Sequence, residues 1–384
     1  MSDGWTGYRL RPEDVWFFRD SKPSILGADH YLRSLFPPFP STLYGLVRTQ
    51  RLLEEGIELG DVSESWWRAL SEPLRNELGE WGKDGAIELR GPWLECDGDI
   101  LLPAPADLRL FLRERGDGAD EAVDVIEEVV RLCPEEASRS RRNWSHGLAP
   151  MSPFARNGNG WKPWETPRGR KDPGPSDGWF LTLPGIARWI SGDIPSAEHF
   201  VHGSRLWHEE PRTGVGLQAK SRQHSEGLLF TFGFIRLERG VTVGFELCGA
   251  EPLKAGRVAR FGGESRLAHI EKGRSLTGEL EGVAAPLSAE AGSGCVVALV
   301  TPGIFPDSDL PSAQVTAAVV RGPVLIGGWD LATRGPKPLL RAAPAGSVYW
   351  IDGTLAPLSK LPSLKTQQGF GLAIAGRQPR RVHG

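Results

Sequence analysis

The residues best suited to chemistry are short glycine-rich segments that hold an aromatic or a cation. Gly369-Phe370-Gly371 leads into an apolar run that ends at Arg377. Glycines let backbone N–H groups come close to phosphate oxygens, and an aromatic between them offers a face on which a base stacks. The segment is not a dinucleotide fingerprint, because the G-x-G-x-x-G spacing and a following βαβ unit are missing. Nor is it a phosphate loop, since no Gly-Lys-Ser/Thr follows. Its plainer alternative is a hairpin turn with a core Phe. Gly262-Gly263 with Arg266 repeats the pattern, and there a tight turn is the plainer reading. Arg212-Thr213-Gly214-Val215-Gly216, followed by Lys220, sits in polar sequence where it could grip phosphates. Arg19 either pairs with Asp20 or, with Lys22, contacts phosphate, while Ser41 reads as the N-cap of a helix whose N-terminus faces an anion.

Two stretches concentrate positive charge although the net charge is -3. Between 139 and 171 there are eight basic residues, Arg139, Arg141 and Arg142 among them, against one acid, with Trp144, Trp161 and Trp164 interspersed. From 353 onward there are five basic residues and no acid. Basic loops on a neutral body suit a protein that meets RNA on one face and protein on another. Catalytic and metal signatures are missing. His199 and His202 have H-x-x-H spacing near Glu198 and His208, but no clear third ligand. No HExxH occurs, and the four cysteines form no CxxC pair. No catalytic residue, metal or cofactor is therefore expected. Without a signal peptide or a long apolar run, a cytoplasmic protein with no membrane segment is the plain expectation.

The elements that would position these residues read as α+β. The 48 glycines and 31 prolines among 384 residues imply many turns and long loops. Trp5 to Leu10 reads as a strand. Thr42 to Glu55 reads as a helix with Leu43, Leu46, Val47 and Leu53 on its apolar face, closed by Gly56. Trp66 to Leu78 suggests a further helix. Ile87 to Leu94 and Ile100 to Leu112 contain β-like runs, and Asp120 to Leu132 an amphipathic helix stopped by Pro134. The stretch 139–177 has no apolar period and reads as a loop or inserted linker. Pro184 to Ser191 is a short helix. Leu228 to Leu237 and Val241 to Cys248 flank Glu238-Arg239-Gly240 as a hairpin would. Further strands are expected at Cys295 to Thr301, Val315 to Val320, Val348 to Ile351 and Leu372 to Ala375. Trp66, Trp67, Trp189 and Trp329 are candidates for protein contacts, each with core packing as the commoner alternative.

Together these pieces resemble a known family. Phe18-Arg19-Asp20, Phe36-Pro37-Pro38-Phe39-Pro40-Ser41-Thr42 and Gly45-Leu46-Val47-Arg48 look like the start of the RAMP superfamily of CRISPR proteins. Gly214-Val215-Gly216, Ser225 to Phe230 and Gly262-Gly263-Glu264 are similar to its middle stretch, with Phe230 where Tyr is usual. Lys337-Pro338 and Pro344-Ala345-Gly346-Ser347-Val348-Tyr349 resemble the third subunit of the Cmr, or type III-B, effector complex. The resemblance implies two ferredoxin-like (RRM-like) modules with long loop insertions. We place them at 1–137 and 179–384, with the basic Trp-containing segment 138–178 between them. It also implies binding of the CRISPR RNA 5′ handle and docking against the large cyclase-like signalling subunit and a backbone RAMP subunit. Arg19, Ser41, Arg48, Arg212, Arg266, Phe370 and Arg377 are then RNA-facing residues. A RAMP-type endoribonuclease and the equivalent subunit of a Csm-type complex are the alternatives.

Overall fold

The computed structural model describes residues 4–20, 31–60, 62–113, 125–134, 151–157, 160–163, 173–217, 224–283, 294–305, 315–330 and 335–378. In chain order the elements used below are β1 (Thr6–Pro12), α1 (Pro40–Glu54), β2 (Glu88–Cys96), β3 (Asp99–Pro103), β4 (Trp179–Thr182), α2 (Leu183–Ile190), β5 (Phe200–His202), β6 (Trp207–Leu217), β7 (His224–Leu237), β8 (Val241–Cys248), β9 (Arg257–Arg260), β10 (Leu267–Lys272), α3 (Leu276–Val283), β11 (Cys295–Leu299), β12 (Val315–Val319), β13 (Val348–Ile351), β14 (Leu358–Lys360) and β15 (Leu372–Arg377). The chain is α+β and rich in sheet.

α1 begins two residues earlier than expected. Phe39 is its N-cap and Pro40 its first residue. Proline suits that position because its missing N–H would have been unpaired there anyway. Ser41 therefore lies inside the helix, and no side chain caps it. At the other end, Gly56 donates to the Leu53 carbonyl and Ile57 to that of Leu52, the reciprocal pattern that satisfies the last carbonyls of a helix. Leu43, Tyr44, Leu46 and Val47 are buried, whereas Leu53 is 47% exposed because it falls off the stripe that the helical period defines. Arg51, 4% exposed, joins Glu54, Glu55 and Glu77. That network anchors α1 to the helix Glu72–Leu78, which Pro73 separates from its neighbour Glu64–Arg68.

The largest sheet runs β5-β4-β3-β2-β8-β1-β10-β9. Its middle strands are antiparallel, so β1 and β2 run parallel with β8 between them. α1 carries the chain from one to the other and packs on the face that presents Tyr8, Leu10, Val243 and Phe245. Strands from 6 to 272 share this sheet, so it crosses the expected division at 138–178. A second core joins its other face, through Trp93, Ile100 and Leu102, to α2, α3 and the C-terminal sheet β12-β13-β11-β15-β14.

Three further expectations change. Ile126–Pro134 is a strand, not the end of a helix, and pairs with Leu108–Leu112. Its Ile126, Val129 and Val130 are β-branched and fit a pleated surface better than a helix. Within the stretch read as loop, Met151–Asn157 pairs with Gly160–Pro163 and extends that sheet. β7 and β8 do not form a hairpin. β7 pairs with β6 and Tyr31–Leu32, while β8 enters the large sheet, so the Glu238–Gly240 turn passes the chain between sheets. No described helix is long and apolar enough to cross a membrane.

Candidate nucleic-acid interface

The C-terminal glycine loop is not on the surface. Phe370 is 0% exposed and packs with Ile304, Ile326 and Ala342. The Gly369 carbonyl accepts a 2.6 Å hydrogen bond from the Thr301 hydroxyl, and Gly371 N–H donates to the Pro302 carbonyl. Both glycines have positive φ, 102° and 74°, where a Cβ is strained. A Cβ on Gly369 would stand 2.8 Å from the Gly91 oxygen. The close approach that glycine permits is spent on protein backbone rather than on phosphate, and Phe370 has no face left for a base. Arg377, at the exposed end of β15, has no ion-pair partner among the described residues.

The other two glycine segments converge instead. Arg212 and Thr213 lie on β6, opposite Phe232 and Thr231 of β7, rather than in a loop. Gly262 and Gly263 turn the chain between β9 and β10. Gly262 has a φ of 81°, and Gly263 N–H donates to the Phe17 carbonyl at 2.8 Å. The turn sets the Arg266 guanidinium 4.3 Å from the Phe234 ring centre, over which Arg212 also lies at 5.4 Å. From Phe234 a row of rings continues along β7, through Phe232 at 5.7 Å to Phe230 a further 5.1 Å away. Phe17 packs edge-on to Phe232 at 4.9 Å. Phe234 is buried, whereas Phe230 and Phe232 are half-buried. Alternation along the strand places these three rings, Arg212 and Arg236 on one face.

Electrostatics at the foot of this ribbon leave one cation over. Asp14 bridges Arg212 and Arg236 at 2.9 and 2.8 Å, and Glu210 also pairs with both. Partial burial pushes the Asp14 carboxyl up, but hydrogen bonds from Arg212 and Arg236 outweigh it and hold it below the usual range. Arg236 and then Arg212 hold Glu210 low in the same way. Arg266 has no carboxylate partner among the described residues, and its Nε is buried without a hydrogen bond. Three guanidiniums thus meet two carboxylates beside stacked rings, a combination that suits a phosphate and its base.

A family model for the CRISPR-associated protein Cas_Cmr3 matches residues 8–378. The chain belongs to the Cmr3 family. Similar solved structures include a chain of "Type III-B Cmr-beta bound to cognate target RNA", at 16% identity over 90% of this chain and 86% of that one, with a TM-score of 0.45. Another is from a "Csm3-Csm4 subcomplex in the type III-A CRISPR-Cas interference complex", at 12% identity over 92% and 94%, with a TM-score of 0.40. A third is from a "Csm1-Csm4 cassette in complex with AMPPNP", at 13% identity over 99% of each chain, with a TM-score of 0.35. No curated protein matches the sequence.

The remaining candidate residues of this Cmr3-family chain are scattered. Arg19 is exposed at an isolated bridge with Ser34. Arg48 is stacked on Trp67 at 4.7 Å and near Tyr44 at 5.7 Å, so its side chain packs α1 against a neighbouring helix. Lys22, Arg139, Arg141, Arg142 and Lys220 lie outside the described residues. Trp67 and Trp189 are core, whereas Trp329 is 59% exposed. Arg321 was missed. It follows β12 and lines a cleft of about 220 Å³ to which Phe36 to Phe39, β2, β3, β4, Pro302 and Ala345 all contribute. Phe36 to Phe39 and Ala345 belong to stretches that carried the family resemblance, but their meeting here was not visible in the sequence.

Proposed function

We propose that this Cmr3-family chain is a non-catalytic subunit of a type III-B CRISPR effector complex. In this reading it holds the repeat-derived 5′ handle of the CRISPR RNA and docks the large signalling subunit beside a backbone subunit. The β10-β1-β8-β2 core with α1 is the first of two ferredoxin-like modules, and the C-terminal sheet is the second. The observation that carries the reading is the convergence of Arg212 and Arg266 on Phe234, at the foot of a row of half-buried rings. Single strands are held by phosphate contacts plus stacking, which needs a few cations and exposed rings rather than a high net charge.

The test is fluorescence anisotropy with labelled handle RNA across a salt series. Affinity should fall as salt rises, because contacted phosphates release counterions. Equal affinity for an unrelated duplex DNA would overturn the reading. Incubation with precursor RNA, with and without magnesium, checks for cleavage. His208, which pairs with Glu238 at 2.8 Å on the same ribbon, is the residue to replace if products form. Specific products lost in His208→Ala would make the chain a nuclease.

A further inference from the structure

The large sheet ends at β9, and the direction of each backbone group along that edge follows from its register. β9 closes the strand order and pairs with β10 alone. Phe261 N–H donates to the Arg266 carbonyl, and the same register places Ala259 opposite Ala268 and Arg257 opposite Ile270. Bonded pairs alternate along an antiparallel ladder. Arg257 and Ala259 therefore turn their backbone groups toward β10, whereas Val258 and Arg260 turn theirs outward. A Cβ on Gly256, just before the strand, would meet nothing within 4 Å, so this end of the edge is open. Ala259, Ala268 and Ile270 belong to the core under α1, and alternation puts Val258, Arg260, Leu267 and His269 on the opposite face. Val258 is 46% exposed and Leu267 40%. Charge here is one-sided. Glu271 of β10 is taken by Arg9 and Arg11, and Glu13, just past β1, by His269. Arg257 and Arg260 are exposed and have no ion-pair partner among the described residues.

We infer that β9 is a docking edge for an extended, acidic segment of a partner protein, which joins the large sheet antiparallel as one more strand. The segment's backbone pairs with the outward groups of Val258 and Arg260. One apolar side chain covers Val258 and Leu267, and carboxylates on either side face Arg257 and Arg260. In such strand addition the main chain supplies affinity and the side chains supply selectivity. An edge kept free of partners is blunted, as at β6, where Pro211 holds a position whose N–H would point outward. β9 carries no proline and adds two exposed apolar side chains. Its arginines repel a basic strand and attract an acidic one. A second copy of this chain is disfavoured, because it would bring its own Arg257 and Arg260 onto the same seam. RNA finds no exposed Phe, Tyr or Trp along this edge on which to stack. The inference stands apart from the RNA-binding reading above and adds a protein-binding surface to it.

The experiment titrates the full chain with a fluorescently labelled synthetic peptide, a Glu-Thr-Val-Glu core flanked by threonines. Read antiparallel, this order sets glutamates opposite Arg260 and Arg257 and the valine opposite Val258. The peptide should bind, and versions with Lys for Glu or with a methylated valine amide should not. Val258→Pro removes an outward N–H without touching the ladder to β10, and Arg260→Glu reverses a charge. Each should weaken the peptide about tenfold, the order of one hydrogen bond or one reversed cross-strand pair, while Tm and handle-RNA affinity stay at wild-type values. Amide exchange supplies the strand-specific readout. The Val258 and Arg260 amides should exchange fast in the free chain and slowly with peptide bound, and the Ala259 amide slowly in both. Failure of wild type to bind the acidic peptide, or equal binding of the Lys version, would overturn the inference. Unchanged peptide affinity in both variants would do the same. If handle RNA slows the Val258 and Arg260 amides, the edge is a nucleic-acid surface. If they are already slow in a dimer of the chain seen by sedimentation, it is a contact between copies. Either result makes the inference wrong and leaves the ribbon's role untouched.

Discussion

The C-terminal loop and the ribbon foot start from the same sequence ingredients, glycines beside an aromatic and a cation. They end at opposite extremes of exposure. Gly369-Phe370-Gly371 is sealed between the Pro302 and Gly91 backbones with Phe370 at 0% exposure, whereas the ribbon leaves Phe230 and Phe232 half-buried in a row that ends at Phe234, over which Arg212 and Arg266 lie. The difference teaches that glycine signals a close approach without saying to what. Only the partner, backbone or solvent, tells a packing device from a binding surface.

The largest effect expected from breaking this comparison is at Phe370. Phe370→Ala should leave a cavity and cost about 3–5 kcal/mol of stability, seen as a large fall in Tm, with handle affinity per folded molecule unchanged. Reduced affinity at unchanged Tm would reverse the two regions' roles. Gly371→Val comes next. Its φ of 74° and a Cβ 2.8 Å from that of Ser363 should cost on the order of 1–3 kcal/mol from backbone strain alone, again read in Tm. On the ribbon, Phe230→Ala should behave the other way. Tm should change little, and anisotropy should show a loss of about 1–3 kcal/mol in RNA binding if one base stacks there.

Arg266→Ala should act more mildly. It should weaken binding about equally across sequences and reduce the salt slope by about one, as a lost phosphate contact does. The smallest effect concerns pH. Asp14 and Glu210 have carboxyls held below their usual values, about 3.9 and 4.3. Their contribution to docking the ribbon is therefore fully present above that range and is lost as pH falls through the lowered values. Amide hydrogen exchange at β6 should speed up below about pH 4 more than at β15, and Asp14→Asn should blunt the difference. Equal acceleration in both strands would show that the network does not pin the ribbon.

Element type was readable wherever one face is buried along a regular period. α1, α2 and the strands β1, β2, β11, β13 and β15 follow from local pattern and from turn residues such as Gly56. The stretch 126–132 was misread because alternation and helical periodicity overlap over so few residues. β7 and β8 were misjoined because a short Gly-containing turn looks the same whether it closes a hairpin or passes the chain between two sheets. Among the site residues, Arg212, Arg266 and their glycines were visible as types, but their meeting on Phe234 was not.

The sequence by itself determined α1, α2 and strands such as β1, β2 and β15, the family to which the chain belongs, and which residues could bind an anion or a ring. Tertiary structure decided which of them are placed to do so. It buried Phe370, neutralised Arg212 with Asp14, left Arg266 without a carboxylate among the described residues, and drew Phe36, Trp179, Pro302 and Arg321 around one cleft. The reason is physical. A side chain's chemistry is local, but its solvation and its partners depend on residues hundreds of positions away, and those set whether a cation is spent on a carboxylate or remains for a ligand.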